Sequence, residues 1–414
     1  MRKKIIMTKE PKNILGKIQA LFKIFRLNIF VIVPILTTLI TSIYTLITVL
    51  LNSIDYKLLF SSAVSLGVTL VSFVTTLYIC YRNQKNILFH KYPKEEIDEA
   101  LSGPINYSKL QYIEINGVYL VYTNEENLIT QTKIMNLPYS FKGNYSYKVP
   151  KNISKNAYSI FTHIYKKRVN FFDGRKIRMN EDFLDVYSRK NIEQVIQLSK
   201  TTYFNSICTN EIASLEIRSA SDTTYRFDGF TLVKSCEDCN TKSRIFKLKE
   251  SACSNHIGIS TLLLTKDNYV ILTMQGNKNY IESKKYTLSA SGSLEYKDKK
   301  GCKTFGDIIV KGMNRELSEE CNIPYTSIID TKLVGYGRLL NRGGKPEFFG
   351  ITRVNLTAEE VVTLAKKGIE TKREYVTDFI AIPFKKETLL STIKEFEING
   401  SLTAQLFYTI NKLI

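Results

Sequence analysis

The densest chemistry in the chain lies at Arg315-Glu316-Leu317-Ser318-Glu319-Glu320-Cys321. On a helix, Glu316, Glu319 and Glu320 fall at i, i+3 and i+4 and share one face. Carboxylates that close repel one another, and a hard divalent cation such as Mg2+ resolves the conflict because it prefers oxygen ligands. Arg315 is placed to orient one acid through a charge-assisted hydrogen bond. Val310, Met313, Leu317 and Cys321 form a separate apolar stripe that can dock on a sheet. Gly312 sits on the acid face one turn earlier and leaves room there. A solvated acidic helix face is the plainer alternative.

Two weaker constellations accompany the helix. Cys236 and Cys239 form a CxxC, and Cys253 and His256 form a CxxH, at a spacing compatible with tetrahedral zinc. Chance pairing in a chain with 7 cysteines is the stronger reading, so Zn2+ is not expected. Arg342-Gly343-Gly344-Lys345 sets two glycines between cations, which would offer backbone N–H groups to a phosphate. An ordinary hairpin turn explains the same residues.

The elements that must position these residues belong to a 414-residue chain with a formal charge of +19. Such a charge invites a polyanion as partner, but it is unevenly distributed. Residues 1–94 hold 13 Lys/Arg and 2 Asp/Glu, flanking the uncharged runs 27–54 and 58–81. Each run is long enough to span a hydrocarbon core of about 30 Å. A basic N-terminus (1–26), a two-helix transmembrane hairpin (27–81) and a juxtamembrane linker (82–105) are therefore expected. The basic flanks place the N-terminus and the C-terminal domain on the cytoplasmic side of the cell membrane. No disulfides are expected there. Small residues such as Ser61, Ala63, Ser65 and Gly67 hint at a homo-oligomer. The mild remaining charge suits a small phosphate ligand better than duplex nucleic acid.

Residues 106–250 read as an α+β region, either a small domain or an extension of the C-terminal one. Tyr112–Tyr122, Tyr158–Tyr165 and Thr224–Val233 have strand composition, and Asn191–Leu198 reads as a short helix. Farther on, Ile257–Leu264, Tyr269–Met274, Leu333–Leu340 and Glu347–Val354 read as strands and Ser401–Ile414 as a closing helix. The fold class is α/β.

The spacing Gly301, five residues, Asp307, seven residues, Arg315-Glu316-Leu317-Ser318-Glu319-Glu320-Cys321-Asn322-Ile323 resembles the Nudix box. Asp307 replaces the family's Glu, and Asn322 replaces its Gly at the helix end, where Asn tolerates the left-handed conformation. Ser291-Gly292-Ser293 is an equally good glycine turn, so Gly292 and Gly301 both remain candidates to open the box. The resemblance covers about 255–414 and implies an α/β/α sandwich with Mg2+ or Mn2+ on the box helix. It implies a metal-activated water attacking a nucleoside diphosphate derivative. By position, Glu316 would be a ligand or general base, and Glu319, Glu320 and Asp307 further ligands. Arg315 would orient, and a later acid (Glu347, Glu359 or Glu360) would assist. The order of hairpin and Nudix-like domain looks like that of two-transmembrane Nudix effectors of bacterial CBASS antiphage systems. In such an effector the domain senses a cyclic nucleotide and drives hairpin assembly and membrane disruption. A membrane-anchored Nudix hydrolase is the alternative.

Overall fold

The computed structural model describes residues 37, 40–45, 47–48, 56–85, 87–91, 111–115, 118–154, 156, 160, 173–190, 193–219, 226–235, 244–275, 285–372, 376–395, 398 and 400–413. The chain divides into two compact units: Met1–Phe89 with Lys155–His163 and Ile217–Phe227, and His90–Ser154 with Ile164–Glu216 and Asp228–Ile414.

In the first unit, helix α1 spans Tyr56–Lys85. The Ser65 and Ser42 hydroxyls share a 3.1 Å hydrogen bond, and the Thr69 hydroxyl donates to the Ser65 carbonyl. The expected transmembrane hairpin is corrected here. Among the described residues no helix is long and apolar enough to cross a membrane. Most of the first run, 27–54, lies outside the described residues. The second run, 58–81, lies in α1, which ends on Arg82-Asn83-Gln84-Lys85. Phe60, Val68, Val71 and Val74 are exposed on this helix.

The second unit is built on a nine-stranded sheet. Its elements begin with β1 (Gln111–Ile115), β2 (Val118–Tyr122) and helix α2 (Asn124–Thr132). Three strands form a smaller sheet in the order β3-β5-β4: β3 (Tyr139–Ser146), β4 (Arg175–Met179) and β5 (Ile196–Thr202). The large sheet continues with β6 (Gly258–Leu264), β7 (Tyr269–Gln275), β8 (Tyr286–Thr287) and β9 (Ala290–Ser293). Helix α3 (Phe305–Cys321) comes next, then β10 (Ile328–Leu339), β11 (Lys345–Val354), α4 (Ala358–Lys372), β12 (Val376–Pro383), α5 (Lys386–Glu395) and α6 (Gly400–Leu413). The sheet order is β8-β7-β6-β11-β10-β2-β1, with β9 paired to β6 and β12 to β7. Only β6 and β11 run parallel among these pairs, with Gly258 opposite Glu347.

Period-two alternation assigns the faces of this sheet. Leu263 and Ile271 pack with Leu317 and Cys321 of α3 and Val361 and Ala365 of α4. Their neighbours Leu262, Val270 and Leu272 pack instead with Leu389 of α5 and Leu402 and Leu406 of α6. Helices therefore cover both faces. The upper turns of α3 bury Ile308, Ile309 and Met313 against Ile259, Leu294 and an aromatic group of Phe183, Phe305, Tyr336 and Phe348. Each such apolar side chain, fully buried, contributes roughly 1.5–3 kcal/mol.

Most of the middle region belongs to this unit, while Lys155–His163 and Ile217–Phe227 belong to the first. β2 pairs with β10 at Val121 and Arg338, and β4 meets the large sheet through Ile177, whose N–H donates to Leu294 O at 3.1 Å. Ile177 O in turn accepts from Ile257 N at 3.0 Å. The expected helix at Asn191–Leu198 is a second correction: Ile196–Thr202 is a strand. Ile196 and Leu198 alternate into the core, and pairing to β3 and β4 on both sides overrides a weak helical pattern. Thr224–Val233 is a strand only at Arg226–Asp228 and turns into a 3-10 helix at Gly229–Leu232. Apart from Ile160, the expected strand at 158–165 lies outside the described residues.

Candidate functional site

Helix α3 starts at Thr304, whose hydroxyl accepts from Asp307 N, while Asp307 Oδ2 accepts from Thr304 N and Lys303 N. This reciprocal capping box fixes the helix origin, and with it the rotational position of the acids two to four turns later. Asp307, expected as a metal ligand, is thereby engaged in the cap. These amide bonds, against the opposing effect of partial burial, hold its carboxyl below the usual range. The helix ends on Asn322, in the left-handed conformation (φ 56°) expected of it.

Between those ends, a stretch of β9 backs the charged turn residue for residue. Ser291 N donates to Glu320 Oε2 at 3.0 Å. At Gly292 a Cβ would lie 2.0 Å from Glu316 Oε1, so only glycine lets that carboxylate lie on the strand. Ser293 O accepts from Arg315 Nη2 at 3.2 Å. Gly301, by contrast, has φ +79° in an open turn and no atom within 4 Å of where its Cβ would stand. Gly292 is the glycine that meets the acids.

Arg315 is the hub. It grips Asp298 with two bonds, Nε to Oδ1 at 2.9 Å and Nη2 to Oδ2 at 3.0 Å. Its Nη1 donates to Glu316 Oε1 at 2.9 Å and to Glu319 Oε2 at 3.1 Å. Although burial opposes charge, Glu316, Asp298 and Glu319 keep the guanidinium protonated. Burial raises the Glu316 pKa, an effect that Arg315 and Lys176 oppose and Glu319 adds to. Asp298 was not among the residues expected from sequence. The signal for it was available, because Gly292, five residues and Asp298 repeat the opening of the box pattern. What hid it is the sixteen residues that then precede Arg315, where the pattern has seven.

Among the described residues, no group of three or more His, Cys, Asp or Glu side chains is gathered to hold a metal. Arg315 draws Glu316 and Glu319 to itself. The donor set is nevertheless hard, and it is anionic. Those are the properties Mg2+ or Mn2+ requires.

The remaining expected residues lie elsewhere in the second unit or outside the described residues. Arg342 pairs with Glu211 through Nε at 2.9 Å. Gly343 N and Gly344 N donate to Leu340 O and Leu339 O, so the turn uses the amides offered to a phosphate. Lys345 Nζ is buried and bonds Glu347 Oε2 at 2.5 Å, and Ser260 Oγ donates to Glu347 Oε1. Glu347 is thus part of a closed ion pair. Glu359 and Glu360 open α4, where Glu360 accepts from Thr357 N. Cys236 and Cys239 lie outside the described residues. Cys253 is a buried thiol pushed up to about 12 by desolvation. His256 is fully buried, and among the described residues neither ring nitrogen has a hydrogen-bond partner. Burial first, then Lys345, Arg342 and Lys176, keep it neutral. A surface hollow of about 230 Å3, lined by residues such as Lys133, Tyr187 and Gln194, shares no residue with either cluster.

No known protein family and no curated protein matches the chain by sequence. Among solved structures, a Deinococcus radiodurans protein is similar over 37% of this chain and 81% of its own, at 11% identity and TM-score 0.26. A Nudix hydrolase from M. smegmatis is similar over 38% of this chain and 86% of its own, at 9% identity and TM-score 0.24. At those scores neither likeness carries an argument, and the functional reading rests on the geometry of α3 and β9.

Proposed function

We propose that the second unit carries a Nudix-like site that binds a nucleoside diphosphate derivative with Mg2+ or Mn2+ and hydrolyses its diphosphate. The observation that carries this reading is the register of Ser291-Gly292-Ser293 against Glu320, Glu316 and Arg315. Gly258 likewise leaves its side-chain volume to Glu347 in the buried Lys345 pair, so what sets this strand apart is that Ser291 and Ser293 hold Glu320 and Arg315 on either side of Gly292. Glu316, Glu319 and Glu320 would hold the metal, which supplies charge neutralisation for the diphosphate and an acidified water. The chain's own part is orientation. Arg315, anchored on buried Asp298, fixes Glu316, and Ser291 N fixes Glu320. Burial, opposed by Arg315, raises the Glu316 carboxyl above its ordinary range and so makes it a stronger proton acceptor. Glu316→Gln should lower Mg2+-dependent turnover of ADP-ribose and related diphosphates by about 10²–10⁴-fold, with a folded protein by circular dichroism. Unchanged turnover in that variant defeats the proposal.

A second reading keeps the site as a sensor of a cyclic nucleotide without turnover. It is favoured by one observation: among the described residues the glutamates are not gathered around a metal position. Tight binding of cyclic oligonucleotides, with no product formed and no loss in Glu316→Gln, would select it. The membrane step expected of a defence effector rested on the hairpin and is withdrawn with it.

A further inference from the structure

Beside the acids, the turn between β9 and α3 carries the reverse charge. Glu295 to Lys303 contains Lys297, Lys299, Lys300 and Lys303, while its buried Asp298 is committed to Arg315. Asp298 also shapes this turn, because Glu295 N donates to its Oδ2 at 2.8 Å. One aspartate therefore sets both the hub of the acid site and the course of the lysine turn. Lys299 Nζ stands 4.1 Å from the Tyr296 ring centroid and 4.4 Å from that of Phe141, and donates to Tyr296 Oη at 2.7 Å. Lys200 of β5 approaches Tyr296 from its own strand, at 4.9 Å. The rings of Phe141 and Tyr296 meet edge to face at 5.3 Å. Among the described residues neither Lys200 nor Lys299 has a carboxylate partner, unlike Lys297, which pairs with Glu295 at 2.8 Å and stands 3.8 Å from Glu319.

Two ammonium groups held over aromatic faces without an acid are pre-ordered cations. The rings restrain them, so less side-chain entropy is lost when an anion arrives. The Tyr296 hydroxyl reports the local potential: burial opposes its ionisation, yet Lys299 and Lys200 bring its pKa below that of a free tyrosine. Lys297 joins this patch to the acid site, because it touches Glu319 of α3 from the same turn.

We infer that Lys200 and Lys299, mounted on Tyr296 and Phe141, form a phosphate subsite at the rim of the acid cluster that takes the distal phosphate of a small nucleotide. The inference rests on the diphosphate reading of the acid site for its substrate class, but the subsite itself needs no metal. A metal-bound phosphate at the glutamates and a second phosphate at the lysines would orient the ligand along the turn.

The test is titration calorimetry of the full chain with inorganic pyrophosphate, in EDTA and in Mg2+, at low salt. The double variant Lys200→Gln/Lys299→Gln should weaken metal-free binding about tenfold or more, as loss of two charge-assisted contacts does. Lys366→Gln, an equal-sign change on exposed α4, should have little effect, and Phe141→Leu should weaken binding severalfold with no change of charge. Glu316→Gln should leave metal-free binding intact and remove the Mg2+-dependent gain. If the double variant matches Lys366→Gln, the subsite is wrong, even where Glu316→Gln still abolishes the metal effect. If the double variant loses binding while Glu316→Gln keeps the metal effect and turnover, the subsite stands and the hydrolase reading falls. Displacement of pyrophosphate by a single-stranded RNA oligomer that binds more tightly would overturn the small-nucleotide assignment.

Discussion

Two charged clusters in the second unit look alike in sequence and differ in how their charges are paired. Around Arg342, Lys345, Glu211 and Glu347, each cation has its own acid, and Lys345 and Glu347 are closed off from solvent. Around Arg315, one guanidinium faces Asp298, Glu316 and Glu319, and Glu320 turns to a backbone amide. The first arrangement is neutral and complete. The second is left anionic at a partly open edge, with Glu319 45% exposed. Complete pairing is what a core tolerates, whereas unbalanced charge held in place by a strand asks for something from outside. Glycines serve both clusters alike: Gly258 leaves its side-chain volume to Glu347, and Gly292 leaves its own to Glu316.

That contrast breaks most readily at the closed pair. Lys345→Met strands Glu347 without its cation and should cost about 3–5 kcal/mol in urea unfolding, whereas Lys345→Met/Glu347→Leu should recover much of it. Equal losses in both variants would mean that the pair's packing matters more than its charge. At the open cluster the signs should invert. Glu316→Gln relieves a buried carboxylate and should leave stability unchanged or raised, although it abolishes turnover. Gly292→Ala drives a Cβ into Glu316 and should cost about 1–3 kcal/mol, with weakened Mg2+ binding as the sharper readout. Thr304→Ala, which unhooks the cap that sets the acids' rotation, should cost about 1 kcal/mol and reduce activity without touching an acid.

A pH series probes an intermediate case. Glu126 is buried, hydrogen-bonded to Thr123, and raised to about 7 by desolvation and by Asp182. The folded state then holds a proton that the unfolded chain releases nearer the ordinary glutamate value. Stability contributed by Glu126 should therefore fall as pH rises from about 4.5 to about 7, the unfolded state binding fewer protons in that window. Glu126→Gln should remove that slope in urea titrations between pH 5 and 8. His256 pulls the opposite way. Its folded pKa is depressed, so its contribution is lost as pH falls below its ordinary value.

Much of the acid helix was legible in the sequence. Of its expected apolar stripe, Met313, Leu317 and Cys321 are buried and Val310 is half-buried; these, the left-handed end at Asn322 and the charged turn arise from short-range periodicity. The partner of Arg315 was not, because Asp298 lies across a turn whose length departs from the pattern, and only the folded turn brings it back. The basic Arg342–Lys345 turn misled for a related reason. The acid of Arg342, Glu211, comes from a distant part of the chain, while Glu347 stands two residues past Lys345 on β11, where their pairing was legible but not read.

The placement of β2 has a consequence for how the chain reaches this state. Tyr119 N donates to Asn341 Oδ1 across 222 residues of sequence, and the β1–β2 hairpin joins the large sheet through the pairing of β2 with β10. During synthesis the β1–β2 hairpin emerges long before β10 exists, with one edge unpaired. Closing so long a loop is slow, and an open edge that waits is a template for pairing with another chain. A fragment cut near residue 250, where composition suggests a domain border, would leave that edge open for good. Expressed alone, it should self-associate rather than fold.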